Sequence, residues 1–421
     1  MQRQILLKYS KDSVDRSRHR NVVAHASRET RRSSSSKEWD LFTSVVTHVR
    51  RESLPWMEDL VLPLFPFLET EGGDIEALPS SESPFDLVEG NGRSKFATVR
   101  GTRIHYVDIV PEQWVSSSPV IVFLHGYNAS LFSFRANLDD VAKRTGLRVI
   151  AFDRPPFGLS DRPTRWGDGH ELEYNPYDVK GGAMLAHEFL ETLQITSPLI
   201  LAGHSAGALS SLYMHEIAPE KVAGLVWVAP ALPTKKEFSF QRRATFGAQM
   251  RIVLSRVLLN YDSTGLRYVR RMIDKQRREL LDGGLGYVPH PATSSKYGVL
   301  DEENLSEELI LSEAIDGYLL PLKTANWDKG ALYNLRSFWL PTEYDYSVLR
   351  DDVPVFIALG ETDPLTASGK CLFEMLQQQR RGSHNAVTTC QIFLCGHIPM
   401  EEEPILFNDA LVDFILHNFV L

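Results

Sequence analysis

A serine hydroxyl attacks a carbonyl carbon only when a base takes its proton, and that base needs a third group to hold it in the right tautomer. Three stretches of this 421-residue sequence offer such groups. In LILAGHSAGALSS, residues 199–211, Ser205 stands between Gly203 and Gly207, after an apolar run and before a helix-forming one. A G-x-S-x-G pattern is short, but a strand before it and a helix after it are the context in which it lifts a serine above a sheet. The flanking glycines remove the Cβ atoms that would collide with the neighbouring strand and helix. VFIALGETDPL then ends an apolar run on Asp363, and CQIFLCGHIPMEEEP ends the next on His397. The chain thus supplies, in order, a nucleophile, an orienting acid and a base.

Other residues compete for these roles. Glu361 precedes Asp363 by two positions and is the alternative acid, whereas Asp351 and Asp352 come before the strand and so lie at its wrong end. His384 sits in a polar loop, and His187 and His215 fall inside helical stretches where a solvated or hydrogen-bonded ring is the ordinary case. His204 adjoins the nucleophile, and its ring is expected to point away from it. The oxyanion of acyl transfer needs two backbone N–H donors, one after the nucleophile and one from an earlier strand's loop. Ala206 is the first; in FLHGYNAS the second is Tyr127, which Gly126 allows to approach, with His125 bracing the loop.

The elements that must position these groups are legible as pattern. KFATVRGTRIHYVDIV reads as two strands around a turn at Arg100 and Gly101. PVIVFLHG, LRVIAFD, PLILAGHS, VAGLVWVAP, PVFIALGE and CQIFLCGH are short, nearly continuous apolar runs, as expected of strands covered on both faces. Helix-period segments at 137–146, 179–194 and 208–220 alternate with them. The expected fold is α/β, a doubly wound, mostly parallel sheet, whose ligands bind beyond the carboxyl ends of the strands. About 120 residues, 231–350, interrupt the rhythm, too long for a loop. Their helical stretches predict an inserted helical cap. The core is then 96–230 and 351–421, preceded by an extension and linker over 38–95.

Residues 1–37 hold ten Lys or Arg, three acids and eight serines, the composition of an organellar transit peptide or, in the plainer reading, of a disordered basic tail. The remainder is acidic, since the chain carries −9 overall and that segment +7. Such a balance argues against nucleic acid as a partner. The three cysteines make no CxxC pair, and LVLPLFPFL at 60–68, broken by Pro63 and Pro66, is too short to span a bilayer. That stretch gives no transmembrane segment, and no metal site or cofactor is expected, because H-E-x-x-H, phosphate-loop and dinucleotide patterns are all missing. Residues 231–282 carry twelve basic against five acidic side chains, and Phe246, Met250, Val253, Leu254, Val257 and Leu258 share a helical face. We read that face as covering the active site; peripheral docking on anionic lipid is the alternative.

From about Phe96 to Leu421 the chain resembles the α/β-hydrolase superfamily, in particular plastid-type members with a helical cap. FLHGYNAS, AFDRPPFGLSDRP, LAGHSAG, VWVAPA, ALGETDPL and CGHIPMEEEP carry the resemblance. It implies Ser205 as nucleophile, Asp363 as acid, His397 as base, Tyr127 and Ala206 as oxyanion donors, and 231–350 as the lid; with the composition of residues 1–37 the expected location is the chloroplast, with mitochondrion or cytoplasm as alternatives. Pro156 replaces the first glycine of the family's D-x-P-G-x-G-x-S segment, and the lipase-type HGGG is missing, which turns the reading away from bulky or tertiary esters. Epoxide hydrolases and haloalkane dehalogenases of this fold carry aspartate where Ser205 stands. The expected activity is hydrolysis of a small-molecule or lipid-like carboxylic ester through an acyl-enzyme. The alternatives are carbon–carbon bond hydrolysis by the same triad, and a non-catalytic ligand-binding protein that keeps the fold.

Overall fold

A computed structural model describes residues 93–234, 259–283, 307–337, 344–383 and 387–419. The basic segment 1–37, the extension up to residue 92, the apolar face of 246–258 and His384 lie outside the described residues. Eight strands form one sheet in the order β1-β2-β4-β3-β5-β6-β7-β8. They are β1 (Lys95–Val99), β2 (Thr102–Ile109), β3 (Val120–Leu124), β4 (Arg148–Phe152), β5 (Leu199–His204), β6 (Val222–Val228), β7 (Val355–Gly360) and β8 (Thr388–Phe393). The first two pair antiparallel around Arg100 and Gly101, both at positive φ, and β2 also runs antiparallel to β4. Every other pairing is parallel, so the carboxyl ends of β3 to β8 open on one edge.

Alternate residues of each central strand enter opposite layers, because strand side chains alternate in direction. Val120, Val122, Leu201, Leu225, Trp227 and Ile357 belong to one buried cluster, and Ile121, Phe123, Ile200, Val226 and Phe356 to the other. The first layer is closed by helices α2 (Val179–Thr192) and α3 (Ala206–Ile217), the second by α1 (Leu138–Thr145). Asp178 caps α2 by accepting from the Gly181 N–H at 2.7 Å, and Gly146 ends α1 in the left-handed region. Phe189 of α2 is fully buried, with its ring 5.3 Å from Tyr106 and 4.9 Å from Phe152.

Between β6 and β7 lie three described helices, α4 (Asp262–Gly283), α5 (Glu307–Leu319) and α6 (Trp327–Ser337). They touch loops that leave the carboxyl ends of the strands. Asn334 of α6 donates to the Tyr177 carbonyl at 3.2 Å, and Asn175 donates to Ser337 Oγ at 2.8 Å. Tyr318 of α5 donates to Glu401 and lies 3.0 Å from Ser133 Oγ, while Arg135 pairs with Glu401 at 3.0 Å. That ion pair is almost wholly removed from water, its side chains 2% and 0% exposed, so each partner depends on the other for its desolvation to be offset.

Four helices are additional to the sequence reading: α6 in the insertion, α7 (Thr366–Gln379), the one-turn α8 (Pro399–Glu402) and α9 (Pro404–Phe419). The expectation of two-sided cover fails at β8. This strand ends the sheet; Ile392 within it is 39% exposed and Leu394, just after it, 81%. An apolar run at an edge reads like a buried one, since sequence pattern does not report strand order.

Truncating Phe189 to Ala removes the ring that joins α2 to β2 and β4. We expect equilibrium urea unfolding to show a loss of about 3–5 kcal/mol; a loss below about 1 kcal/mol would mean that this contact does not hold the layer.

Candidate active site

Ser205 occupies the bend between β5 and α3 with φ 51° and ψ −115°. A non-glycine residue there is strained, and the neighbouring contacts show what enforces it. A Cβ on Gly207 would lie 2.0 Å from the Leu124 carbonyl oxygen of β3, and one on Gly203 2.5 Å from the Ala208 nitrogen. Strand and helix start therefore approach more closely than any side chain permits. The bend is pinned by its own backbone: Ser205 N–H donates to the Val228 carbonyl at 2.8 Å, and its carbonyl accepts from Ala231 at 3.1 Å.

Asp363 and His397 leave the neighbouring β7 and β8 at the same edge. His397 Nδ1 is 3.0 Å from Asp363 Oδ2, with the imidazole 37% exposed and the carboxylate 1% exposed. A carboxylate accepts only, so Nδ1 carries the proton and Nε2 keeps its lone pair. The other Asp363 oxygen accepts from the Leu365 N–H at 3.0 Å. Glu361, the alternative acid, is exposed to solvent. Thr362 ties the two loops together, its N–H and Oγ1 both donating to the Cys395 carbonyl at 3.1 and 3.0 Å.

Ala206 is the first residue of α3, where the helix dipole and unpaired N–H groups favour negative charge. Tyr127 follows Gly126 on the loop after β3, and a Cβ on Gly126 would lie 3.2 Å from Ser205 Cβ. The Tyr127 ring meets Phe157 edge-on at 5.6 Å. His125 is a brace: Nδ1 donates to the Gly126 carbonyl at 2.8 Å and Nε2 accepts from the Arg154 N–H at 2.9 Å. Burial first, then the Arg154 charge, hold its pKa down to about 4. Under the same edge Asp153 accepts from the N–H groups of Leu131 and Leu159, each at 2.8 Å, and from His105 at 2.7 Å. Its burial disfavours charge, yet His105, His125 and the Leu131 N–H together keep its pKa below the usual carboxylate value. Pro156, the departure from the family segment, lies in the turn held by this carboxylate.

Two contributors were not foreseen. His204 lies with its ring tilted by 55° and 5.0 Å from that of His397, and Glu402 accepts from the peptide groups of Gly396 and Ile398. The acids after His397 were visible in GHIPMEEEP, but nothing in that pattern distinguishes a staple from a solvated charge. No cluster of metal-ligating side chains occurs among the described residues.

The model of the alpha/beta hydrolase family matches residues 121–410, more than half of the sequence. The chain belongs to that family. Among curated relatives of this chain, bifunctional epoxide hydrolase 2 of Rattus norvegicus is 24% identical over 80% of the chain and 57% of its own length. The 1-acylglycerol-3-phosphate O-acyltransferase of Arabidopsis thaliana is 29% identical over 40% of each. The chain thus spans about half the length of these relatives. In fold, the chain is similar to Cfl2 of Burkholderia cenocepacia, with TM-score 0.52 and 20% identity over 76% of this chain and 95% of that one.

The buried histidines make stability depend on pH. Between about 4 and the ordinary 6.5 the unfolded chain binds a proton at His125 that the folded chain does not, so stability falls as pH drops through this window. The expected slope is about 1.4 kcal/mol per pH unit for this group. Urea unfolding at pH 7, 6 and 5 measures it, and His125→Gln should flatten the profile by that amount; an unchanged slope would mean His125 is protonated in the folded protein.

Proposed function

We propose that this protein is a serine hydrolase that cleaves a small-molecule or lipid-like carboxylic ester through Ser205, His397 and Asp363. The observation that carries the reading is the hydrogen bond from His397 to the buried Asp363, at the strand edge where Ser205 is held in its strained bend. His397 Nε2 takes the Ser205 proton as Oγ attacks the ester carbonyl. The N–H groups of Ala206 and Tyr127 bind the oxyanion that forms. When the tetrahedral species collapses, His397 returns the proton to the departing alcohol and an acyl-enzyme remains. Water then repeats the sequence and frees the acid.

An epoxide is disfavoured as substrate on chemical grounds, although a relative is named for that activity. Carboxylate attack on an epoxide leaves an ester that water can cleave. Attack by Ser205 Oγ would leave an ether, which the same triad has no means to hydrolyse. Serine with an oriented imidazole fits acyl chemistry.

The purified full chain should be labelled by an active-site-directed fluorophosphonate and should turn over p-nitrophenyl esters. Ser205→Ala is expected to abolish labelling, and His397→Ala to lower kcat by roughly 10⁵ to 10⁶. Asp363→Asn should cost about 10⁴, with Glu361→Gln close to the parent. Folded protein that takes no label would favour the non-catalytic ligand-binding reading instead.

A further inference from the structure

A catalytic histidine needs its ring oriented and its main chain fixed, and Asp363 supplies only the first. The backbone around His397 is otherwise permissive, since Gly396 precedes it and β8 has ended at Phe393. Three hydrogen bonds to the main chain fill this gap. Glu402 spans the loop, one carboxylate oxygen accepting from Gly396 N–H at 2.8 Å and the other from Ile398 N–H at 3.0 Å. His204 Nε2 lies 3.0 Å from the carbonyl oxygen of His397 itself.

We propose that His204 is a positioning residue of the hydrolase, a side-chain clamp on the main chain of the base that sets His397 relative to Ser205. The inference rests on the serine-hydrolase reading above. His204 is the last residue of β5 and Ser205 the next in sequence, so nucleophile and clamp move as one rigid strand end. A carbonyl only accepts, so His204 Nε2 must carry the proton and Nδ1 the lone pair. Nδ1 has no hydrogen-bond partner among the described residues, and it faces the loop after β3, where a Cβ on Gly126 would come within 2.9 Å. A larger residue at 126 would therefore push the clamp as well as the oxyanion loop. Burial, then the nearby His397, hold the His204 pKa down to about 3, so the ring stays neutral while the enzyme works. Neutrality matters, because a cation 5.0 Å from His397 would oppose the imidazolium that forms during acyl transfer.

The test compares variants at position 204. Gln places an amide N–H near the imidazole Nε2 and keeps the donor. Leu matches the bulk without it. We expect His204→Leu to lower kcat for a p-nitrophenyl ester and the rate of fluorophosphonate inactivation by roughly 10- to 100-fold, with KM near the parent's, as for misplacement by about an ångström. His204→Gln should recover most of this loss at equal folded fraction by circular dichroism. Should His204→Leu not fold, His204→Asn replaces it, being polar but too short to reach the carbonyl. Parental rates in the donor-less variant overturn the clamp, as does a Gln variant no faster than it. A parent that takes no fluorophosphonate overturns the hydrolase reading instead, so the two failures are distinguishable.

Discussion

The close approach of β3 to the start of α3 governs the whole site. Main-chain atoms at Leu124 and Gly207 come so near that no side chain fits between them, and the chain can pass only by turning sharply at Ser205. The turn costs conformational energy of order 1–3 kcal/mol, which the parallel pairing of β5 with β3 and β6 on either side offsets. A serine on a relaxed loop would have no fixed relation to groups arriving from other strands. Because the sheet is parallel beyond β2, the loops bearing His397, Asp363 and Tyr127 all emerge where this bend points.

Two buried carboxylates and one half-buried one hold that edge together, and each does so through main-chain N–H groups rather than cations alone. Asp153 joins the loop after β3 to the turn after β4, Asp363 joins its own turn to His397, and Glu402 spans the residues flanking the base. Charge-assisted bonds of this kind are short and strong, and they make desolvation of the acid tolerable. The arrangement leaves the reactive groups little freedom.

Much of this was legible before any coordinates. The strands stood out because both faces of the central ones are buried, and the order Ser205, Asp363, His397 could be read because each follows an apolar run. What escaped has two physical causes. Strand order is a long-range property, so the exposed edge at β8 was read as another covered strand. His204 and Glu402 act on main-chain atoms, and any residue type offers the same carbonyl and N–H. His204 is 193 positions from its partner, and no periodicity spans such a gap. Reading side chains against side chains finds the hydrogen-bonded pair of Asp363 and His397, but not what fixes the loop beneath them.

The ion pair of Arg135 and Glu401 bears on attempts to reshape the protein. Glu401 stands four positions beyond His397, and Tyr318 from α5 completes its hydrogen bonding. A chimera that exchanges the helices between β6 and β7 for those of a relative would strip that phenol away. The grafted helices must bring a hydroxyl donor to the same spot, or the engineer must replace the charged pair with apolar residues; otherwise an under-solvated acid is left four positions from His397.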